Sequence, residues 1–253
     1  MAEAHARGGF ASVVFDCDST LAAIEGIEEL ATGHADEVRA LTRAAMEGSI
    51  PLEEVYGRRL ELIRPTRERV EALGREYVDA LVEDARETVA ALLWLDKEVR
   101  VLSGGLRPPV EAVARELGIT AGAVAAVGIR FGADGAYLDF ERDSPLARSG
   151  GKPRVLREWK LPRPALLVGD GATDLEARPA VDAFAAYMGV EFRPAVAAGA
   201  DVVLRGRSLA PVLALAAGAA DRARLAASPW DALLRRGDAL LTEEASSRPF
   251  HPR

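Results

Sequence analysis

Three short apolar runs in this chain are each followed at once by acidic or glycine-rich sequence, and this pattern constrains the fold most. The run Val13–Phe15 leads into Asp16, and two later runs lead into Ser103 and Asp170. Runs rich in β-branched residues predict buried strands, and strands alternating with helical patterns predict an α/β fold with a parallel sheet. Ligands of such sheets bind at the carboxyl ends of the strands, so we expect the three polar segments to form one site.

Asp16 and Asp18 are the acidic residues of the first segment. Their spacing places both carboxylates on one side of an extended chain, with Cys17 on the other. Two such carboxylates repel each other, which indicates either a cation between them or a proton held by one of them. A second interpretation is that Asp18 and Ser19 only cap the next helix.

The other two segments suit a phosphate and a metal ion. Ser103 and the two glycines after it offer a hydroxyl and open backbone N–H groups for phosphate oxygens, although a plain glycine turn looks the same. Lys152 either supplies positive charge to a phosphoryl group or lies on the surface. Asp170 and Asp174 flank a glycine turn, and Asp174 alone also fits a helix cap. Three carboxylates at one edge of a sheet require a hard cation such as Mg²⁺.

About 75 residues of helical sequence, from Leu21 to Leu95, separate the first strand from the second. A crossover connection needs far fewer residues, so we predict a helical cap inserted over the strand ends. A further expectation is a β-hairpin formed by Ala123–Phe131 and Ala136–Phe140. The predicted units are a discontinuous α/β core of residues 1–20 and 96–217, a cap of residues 21–95, and a helical extension of residues 218–253 with a disordered end. Trp230 either anchors this extension or contacts a second copy in a homodimer.

The bulk composition limits the classes of partner. The net charge of −7 argues against nucleic acid. One cysteine excludes an internal disulfide and a multi-cysteine zinc site, and fits a reducing cytosol. The apolar runs are far shorter than the roughly 20 residues that span a bilayer, and the N-terminus has no apolar signal core. We therefore expect a cytoplasmic protein that binds neither nucleic acid nor membranes.

Five stretches, in order along the chain, resemble the motifs of phosphoserine phosphatases in the haloacid dehalogenase superfamily. They are DCDSTLAAIEGIEELA (16–31), TRAAMEGSIPLEEVYGRRLELIRPTRERV (42–70), VLSGGL (101–106), SGGKPRVL (149–156) and GDGATDLEA (169–177). The resemblance implies a Rossmann-like parallel sheet with an inserted helical cap, in which the strand before Asp16 lies between those before Ser103 and Asp170. It also implies a Mg²⁺-dependent hydrolase that converts the small molecule O-phospho-L-serine to L-serine and phosphate, the last step of serine biosynthesis.

The resemblance implies distinct roles for the two leading aspartates. Asp16 would be the nucleophile and form an aspartyl-phosphate. Asp18 would protonate the leaving serine oxygen and then activate the water that hydrolyses the intermediate. Mg²⁺ would be held by the carboxylates of Asp16 and Asp170 and by the backbone carbonyl of Asp18.

The resemblance also implies which residues hold the substrate. Ser103, Gly104 and Lys152 would hold the phosphoryl oxygens, Asp174 would orient Lys152, and Thr173 would lie beside the substrate.

In the predicted cap, Glu25 would pair with the ammonium of phosphoserine, Arg59 with its carboxylate, and Met46 would line the serine side. Solvated helix charges are the alternative interpretation of Glu25 and Arg59.

The chain differs from the family pattern at Glu47, Leu106 and Pro153, where Gly, Phe and Gly are usual.

Three alternative functions stay open. The first is a phosphatase acting on another phosphorylated amino acid, such as phosphohomoserine or phosphothreonine, because one methylene changes binding by only about 1–3 kcal/mol. The second is phosphoryl transfer to an alcohol, and the third is a non-catalytic binding module.

Overall fold

Eight strands lie within residues 9–46 and 49–246, the part of the chain that the computed structural model describes. They are β1 (Ser12–Phe15), β2 (Glu98–Leu106), β3 (Val124–Val127), β4 (Ile129–Phe131), β5 (Tyr137–Phe140), β6 (Ala165–Gly169), β7 (Ala183–Tyr187) and β8 (Val202–Leu204). Six of them form a parallel sheet in the order β3-β2-β1-β6-β7-β8, and β4 and β5 form an antiparallel pair. The predicted α/β fold is confirmed.

The strand that leads into Asp16 lies at the centre of the sheet. Phe15 of β1 pairs with Val101 of β2 on one side and with Val168 of β6 on the other. The chain therefore leaves these three strands at one edge of the sheet, as predicted. Successive residues of Val13–Phe15 point to opposite faces and are all fully buried. Both faces are thus covered, which explains why the run is apolar without alternation.

Twelve α-helices accompany the strands in the described residues. They are α1 (Gly26–Glu29), α2 (Ala35–Met46), α3 (Leu52–Ile63), α4 (Arg67–Asp79), α5 (Ala85–Trp94), α6 (Arg107–Glu116), α7 (Gly151–Trp159), α8 (Ala172–Ala177), α9 (Pro194–Gly199), α10 (Ala210–Ala216), α11 (Ala219–Ala226) and α12 (Asp231–Ser246). The long segment predicted to be helical holds α1–α5.

Helix α4 shows how the sequence specifies these elements. Thr66 caps it by accepting a hydrogen bond from the Arg69 N–H, with an N–O distance of 3.3 Å. Val70, Leu73 and Tyr77 follow at helical spacing, and all three are fully buried. Their spacing forms one apolar face that packs on the rest of the molecule.

The predicted hairpin is confirmed for Ile129–Phe131 and Tyr137–Phe140, but the predicted first strand over Ala123–Phe131 is too long, because the structure divides it in two. Its first half is β3, which pairs with β2 at the edge of the main sheet. Its second half is β4, which pairs with β5. The chain turns out of the main sheet at Gly128, whose N–H donates to the Glu141 side chain and whose carbonyl accepts from the Glu141 N–H.

Helices α11 and α12 continue the chain past the alternating pattern, as predicted. Arg222 of α11 makes an ion pair with Asp238 of α12 (2.9 Å) and also donates to the carbonyl of Ala214 in α10. Trp230 is half-buried and packs against the core of its own chain. The predicted disordered end lies outside the described residues from 247 onward. No helix in residues 9–46 and 49–246 combines the length and apolar character of a membrane span.

Candidate active site

A cavity with an empty volume of about 560 Å³ opens at the edge of the sheet where β1, β2 and β6 end. The predicted site residues at its walls are Asp16, Asp18, Glu25, Arg59, Gly104, Lys152 and Thr173. Other residues at its walls are Ile27, Glu28, Thr42, Ala45, Leu52 and Gly105. Residues far apart in the sequence thus meet in one cavity, and Ser103, Asp170 and Asp174 lie buried beside them.

Lys152 lies between two carboxylates. Its Nζ is 2.7 Å from Asp16 Oδ2 and 2.7 Å from Asp174 Oδ1, and its side chain is 4% exposed. It is therefore not a surface lysine. Burial on its own lowers the pKa of Lys152, but the charges of Asp16 and Asp174 outweigh burial and raise this pKa above its usual value. Pro153 lies in the first turn of α7, where a proline is tolerated.

The Asp18 carboxylate is held by three donors. Oδ1 accepts hydrogen bonds from the Gly26 N–H, at 2.8 Å, and from the Tyr77 hydroxyl. Oδ2 accepts one from Ser103 Oγ, at 3.1 Å. Burial and then the charge of Asp16 raise the pKa of Asp18, and these hydrogen bonds offset part of the increase. The sequence does not reveal this contact of Tyr77, because helical spacing carries no information about what a hydroxyl binds.

A group of carboxylates beside Lys152 has the chemistry of a cation site. One oxygen from each of Asp16, Asp170 and Asp174 lies within 4.8 Å of the others, and all three residues are buried. Burial and mutual repulsion raise the pKa of Asp174, and burial, with the Asp16 charge, raises that of Asp170 to about 7 despite Arg193. The donors are hard oxygens with excess negative charge, so a divalent cation fits. Asp174 was not among the predicted metal ligands, but its position beside Asp16 and Asp170 makes it a further candidate ligand.

Arg193 is a site residue that sequence reasoning missed. Its guanidinium pairs with Asp170, and its Nη2 lies 2.8 Å from Glu191 and 3.5 Å from Glu25. The residue is 6% exposed and lies between β7 and α9. The rule that placed Asp16 and Asp170 at the carboxyl edge of the sheet also places the loop after β7 there, although it does not single out Arg193 within that loop.

Glu25 and Arg59 are not solvated surface charges. The Glu25 side chain is 17% exposed and accepts a hydrogen bond of 2.6 Å from Ser19 Oγ. Burial, followed by the charges of Asp18 and Asp170, raises the pKa of Glu25. Arg59 is 6% exposed, and its Nη1 donates to Thr42 Oγ1 at 3.0 Å. Within residues 9–46 and 49–246, Arg59 has no ion-pair partner and its buried Nε has no hydrogen-bond acceptor.

Met46 is the last residue of α2, and the prediction for its side chain lies outside what the structure describes. Glu47 also lies outside the described residues. Leu106, where the family usually has Phe, is buried at the end of β2. Cys17 is fully buried, and burial raises the pKa of its thiol, so this cysteine is a neutral core residue.

Comparisons with known proteins support one family. Residues 13–179 match the model of haloacid dehalogenase-like hydrolases. The chain is 40% identical to the phosphoserine phosphatase of Bos taurus over 190 residues, 73% of this chain and 84% of that protein. It is 40% identical to the chloroplastic phosphoserine phosphatase of Arabidopsis thaliana over 201 residues, 75% of this chain and 67% of that protein.

Solved structures agree with the sequence comparisons. A phospho-aspartyl intermediate analogue of phosphoserine phosphatase superposes with a TM-score of 0.72 at 27% identity, covering 81% of this chain and 98% of that one. A substrate-bound phosphoserine phosphatase complex also gives a TM-score of 0.72 at 27% identity, covering 81% and 97%.

Proposed function

The chain belongs to the haloacid dehalogenase-like hydrolases, and on this premise we propose that it hydrolyses O-phospho-L-serine to L-serine and phosphate. The observation that carries the choice of substrate is Arg59, a buried guanidinium without an acid partner among the described residues, at the wall of the same cavity as Asp16. A buried cation is costly unless it is paired, so this position favours a ligand with a carboxylate.

We propose an aspartyl-phosphate intermediate on Asp16. A carboxylate oxygen of Asp16 attacks phosphorus, and the bond from phosphorus to the serine oxygen breaks. Asp18 gives its proton to that oxygen and then takes a proton from the water that attacks the intermediate. The two aspartates suit these unequal roles, because Asp16 is paired with Lys152 whereas Asp18 has a raised pKa.

The phosphoryl oxygens are proposed to bind Ser103, Gly104 and Lys152. Asp174 already holds Lys152 in position, and the Gly105 N–H donates to Ser103 Oγ, which orients the Ser103 hydroxyl. Mg²⁺, the metal that we propose, would be held by Asp16, Asp170 and the carbonyl of Asp18, and it would neutralise charge on the phosphoryl group.

The amino-acid part of the substrate is proposed to bind the helical segment 21–95, which acts as the cap. Glu25 would pair with the ammonium group and Arg59 with the carboxylate. Met46 would line the serine side of the pocket, and Thr173 would lie beside the substrate or product. An acid and a planar cation recognise the two charges of a zwitterion. With this substrate, we place the reaction at the last step of serine biosynthesis, in the cytoplasm.

Phosphate release from a panel of substrates tests this function. The panel contains phosphoserine, phosphothreonine, phosphohomoserine and sugar phosphates, each with and without Mg²⁺. We expect Mg²⁺-dependent release from phosphoserine in clear preference to the others. An absence of phosphoserine turnover, or equal turnover of sugar phosphates, contradicts the proposal.

A further inference from the structure

We propose that Tyr77 is a positioning residue that determines which oxygen of Asp18 carries the transferable proton. This inference rests on the function proposed above, in which Asp18 is the general acid and base. It concerns a contact within the chain that none of the predicted roles includes.

The contacts of Asp18 Oδ1 carry the argument. The fully buried hydroxyl of Tyr77 donates to this oxygen, and so does the Gly26 N–H, 2.8 Å away. A carboxyl oxygen has two lone pairs, and these two donors occupy both. A protonated Asp18 therefore cannot carry its proton on Oδ1 without losing one of these hydrogen bonds.

The other oxygen, Oδ2, lies on the phosphate side of Asp18. It accepts a hydrogen bond from Ser103 Oγ, and a Cβ on Gly105 would lie only 2.5 Å from it. Asp18 and Gly105 both line the cavity. When the Ser103 hydroxyl turns to a phosphoryl oxygen, Oδ2 is free to hold the proton that the leaving oxygen takes.

The fit between Tyr77 and Gly26 is close. A Cβ at Gly26 would lie 1.9 Å from the Tyr77 hydroxyl oxygen, so the missing side chain makes room for this hydroxyl. A phenolic hydroxyl ordinarily loses its proton only at about pH 10, so Tyr77 acts as the donor to the Asp18 carboxylate at neutral pH. Both donors belong to the helical segment, whereas the backbone of Asp18 follows β1.

Oδ2 alone can serve both proton transfers, in the formation and in the hydrolysis of the aspartyl-phosphate. In the first step the Asp16–phosphorus bond forms, the phosphorus–serine oxygen bond breaks, and the serine oxygen takes the proton from Oδ2. In the second step water bonds to phosphorus, the Asp16–phosphorus bond breaks, and the proton of the water returns to Oδ2. Tyr77 and Gly26 hold Oδ1 throughout, so the carboxyl group does not rotate between the steps.

Two substrates whose leaving groups differ in basicity, phosphoserine and acetyl phosphate, test whether Tyr77 positions the proton of Asp18. In Tyr77→Phe, the ring remains and one donor to Oδ1 is lost. The first-turnover release of serine from phosphoserine should slow by about tenfold or more, since a positioned acid contributes ~10²–10⁴-fold. The release of acetate from acetyl phosphate should change less than twofold, because acetate leaves without a proton. The phosphoserine concentration that gives the half-maximal rate should also change less than twofold.

Tyr137→Phe is the matched control, because the Tyr137 hydroxyl is buried without a hydrogen-bond partner in the described residues. Circular dichroism first establishes that both variants are folded. Equal slowing of serine and acetate release, unchanged serine release, or the same loss in Tyr137→Phe overturns the assignment of Tyr77. If the wild-type protein releases no serine from phosphoserine, the proposed function itself fails, and the inference fails with it.

Discussion

The ammonium group of Lys152 lies 2.7 Å from a carboxylate oxygen of Asp16, the proposed nucleophile. The lysine thus offsets the charge of the carboxylate that approaches an anionic phosphoryl group in the proposed mechanism, and we propose that it also binds the transferred oxygens. Asp174, at 2.7 Å on the other side, keeps the lysine at this position. The end of β1 leads into Asp16, the first turn of α8 supplies Asp174, and the first turn of α7 supplies the cation.

Removal of the Lys152 charge should abolish turnover and destabilise the fold. In Lys152→Met, Asp16 and Asp174 lose their shared buried partner, and breaking a buried ion pair costs about 3–5 kcal/mol. We expect a loss of phosphate release of at least about 100-fold, since electrostatic donors of this type contribute ~10²–10³, together with a lower melting temperature. Arg157→Ala, an exposed cation on the same helix, is the control and should change neither quantity. Activity retained in Lys152→Met would rule out its phosphate role.

Truncation of Arg59 should mainly weaken binding of the substrate carboxylate. A hydrogen bond to a charged group contributes ~1.5–3 kcal/mol, so Arg59→Ala should raise KM for phosphoserine by about 10- to 100-fold. Phosphoethanolamine keeps the ammonium but lacks the carboxylate, and its KM should change little. The control is Arg58→Ala, which removes a surface arginine that pairs with Glu37. Equal effects on both substrates would make Arg59 a structural residue.

Divalent cation binding should stabilise the protein through the buried carboxylates. A ligand that binds only the folded state raises its stability, so Mg²⁺ should raise the melting temperature of the wild-type protein. In Asp170→Asn this increase should be lost, whereas Asp36→Asn, at a fully exposed surface acid, should retain it. An equal increase in all three proteins would place the cation elsewhere.

The metal-free protein should lose stability as the pH rises from about 4 to 7. The pKa of Asp170 rises from 3.8 to about 7 on folding, so over this window the folded state holds a proton that the unfolded state has released. Stability falls with pH wherever the folded state binds more protons. Urea unfolding in the presence of a chelator measures this, and Asp170→Asn should show a flatter profile. A free energy of unfolding that rises over this window contradicts the stated cause.

The sequence was sufficient for the parts of the site at the carboxyl ends of the three central strands. Asp16, Ser103 and Asp170 each come directly after a recognisable apolar run. The carboxyl ends of neighbouring parallel strands meet at one edge of the sheet, so the sequence predicts that these residues lie close together. Arg193 was missed because it follows Val190 and Phe192 in a loop of mixed polarity. The hydroxyl contact of Tyr77 depends on the absence of a side chain at Gly26, 51 positions away, which no local pattern reports.

The limits of local sequence patterns also explain why β3 was assigned to the hairpin and not to the main sheet. The apolar residues of β3 are equally compatible with a hairpin strand, because a run of four apolar residues does not identify the partner strand. Pairing with β2 is decided by the position of β2 beside β1, which is a property of the whole sheet.

Chemical capture of the intermediate tests the central claim most directly. The protein is mixed with phosphoserine and Mg²⁺, quenched in acid within milliseconds, and digested for mass spectrometry. We predict a hydroxylamine-sensitive phosphoryl group on Asp16, and neither label nor turnover in Asp16→Asn. An active wild-type protein that carries no phosphoryl group on Asp16, or turnover that persists in Asp16→Asn, would contradict the account.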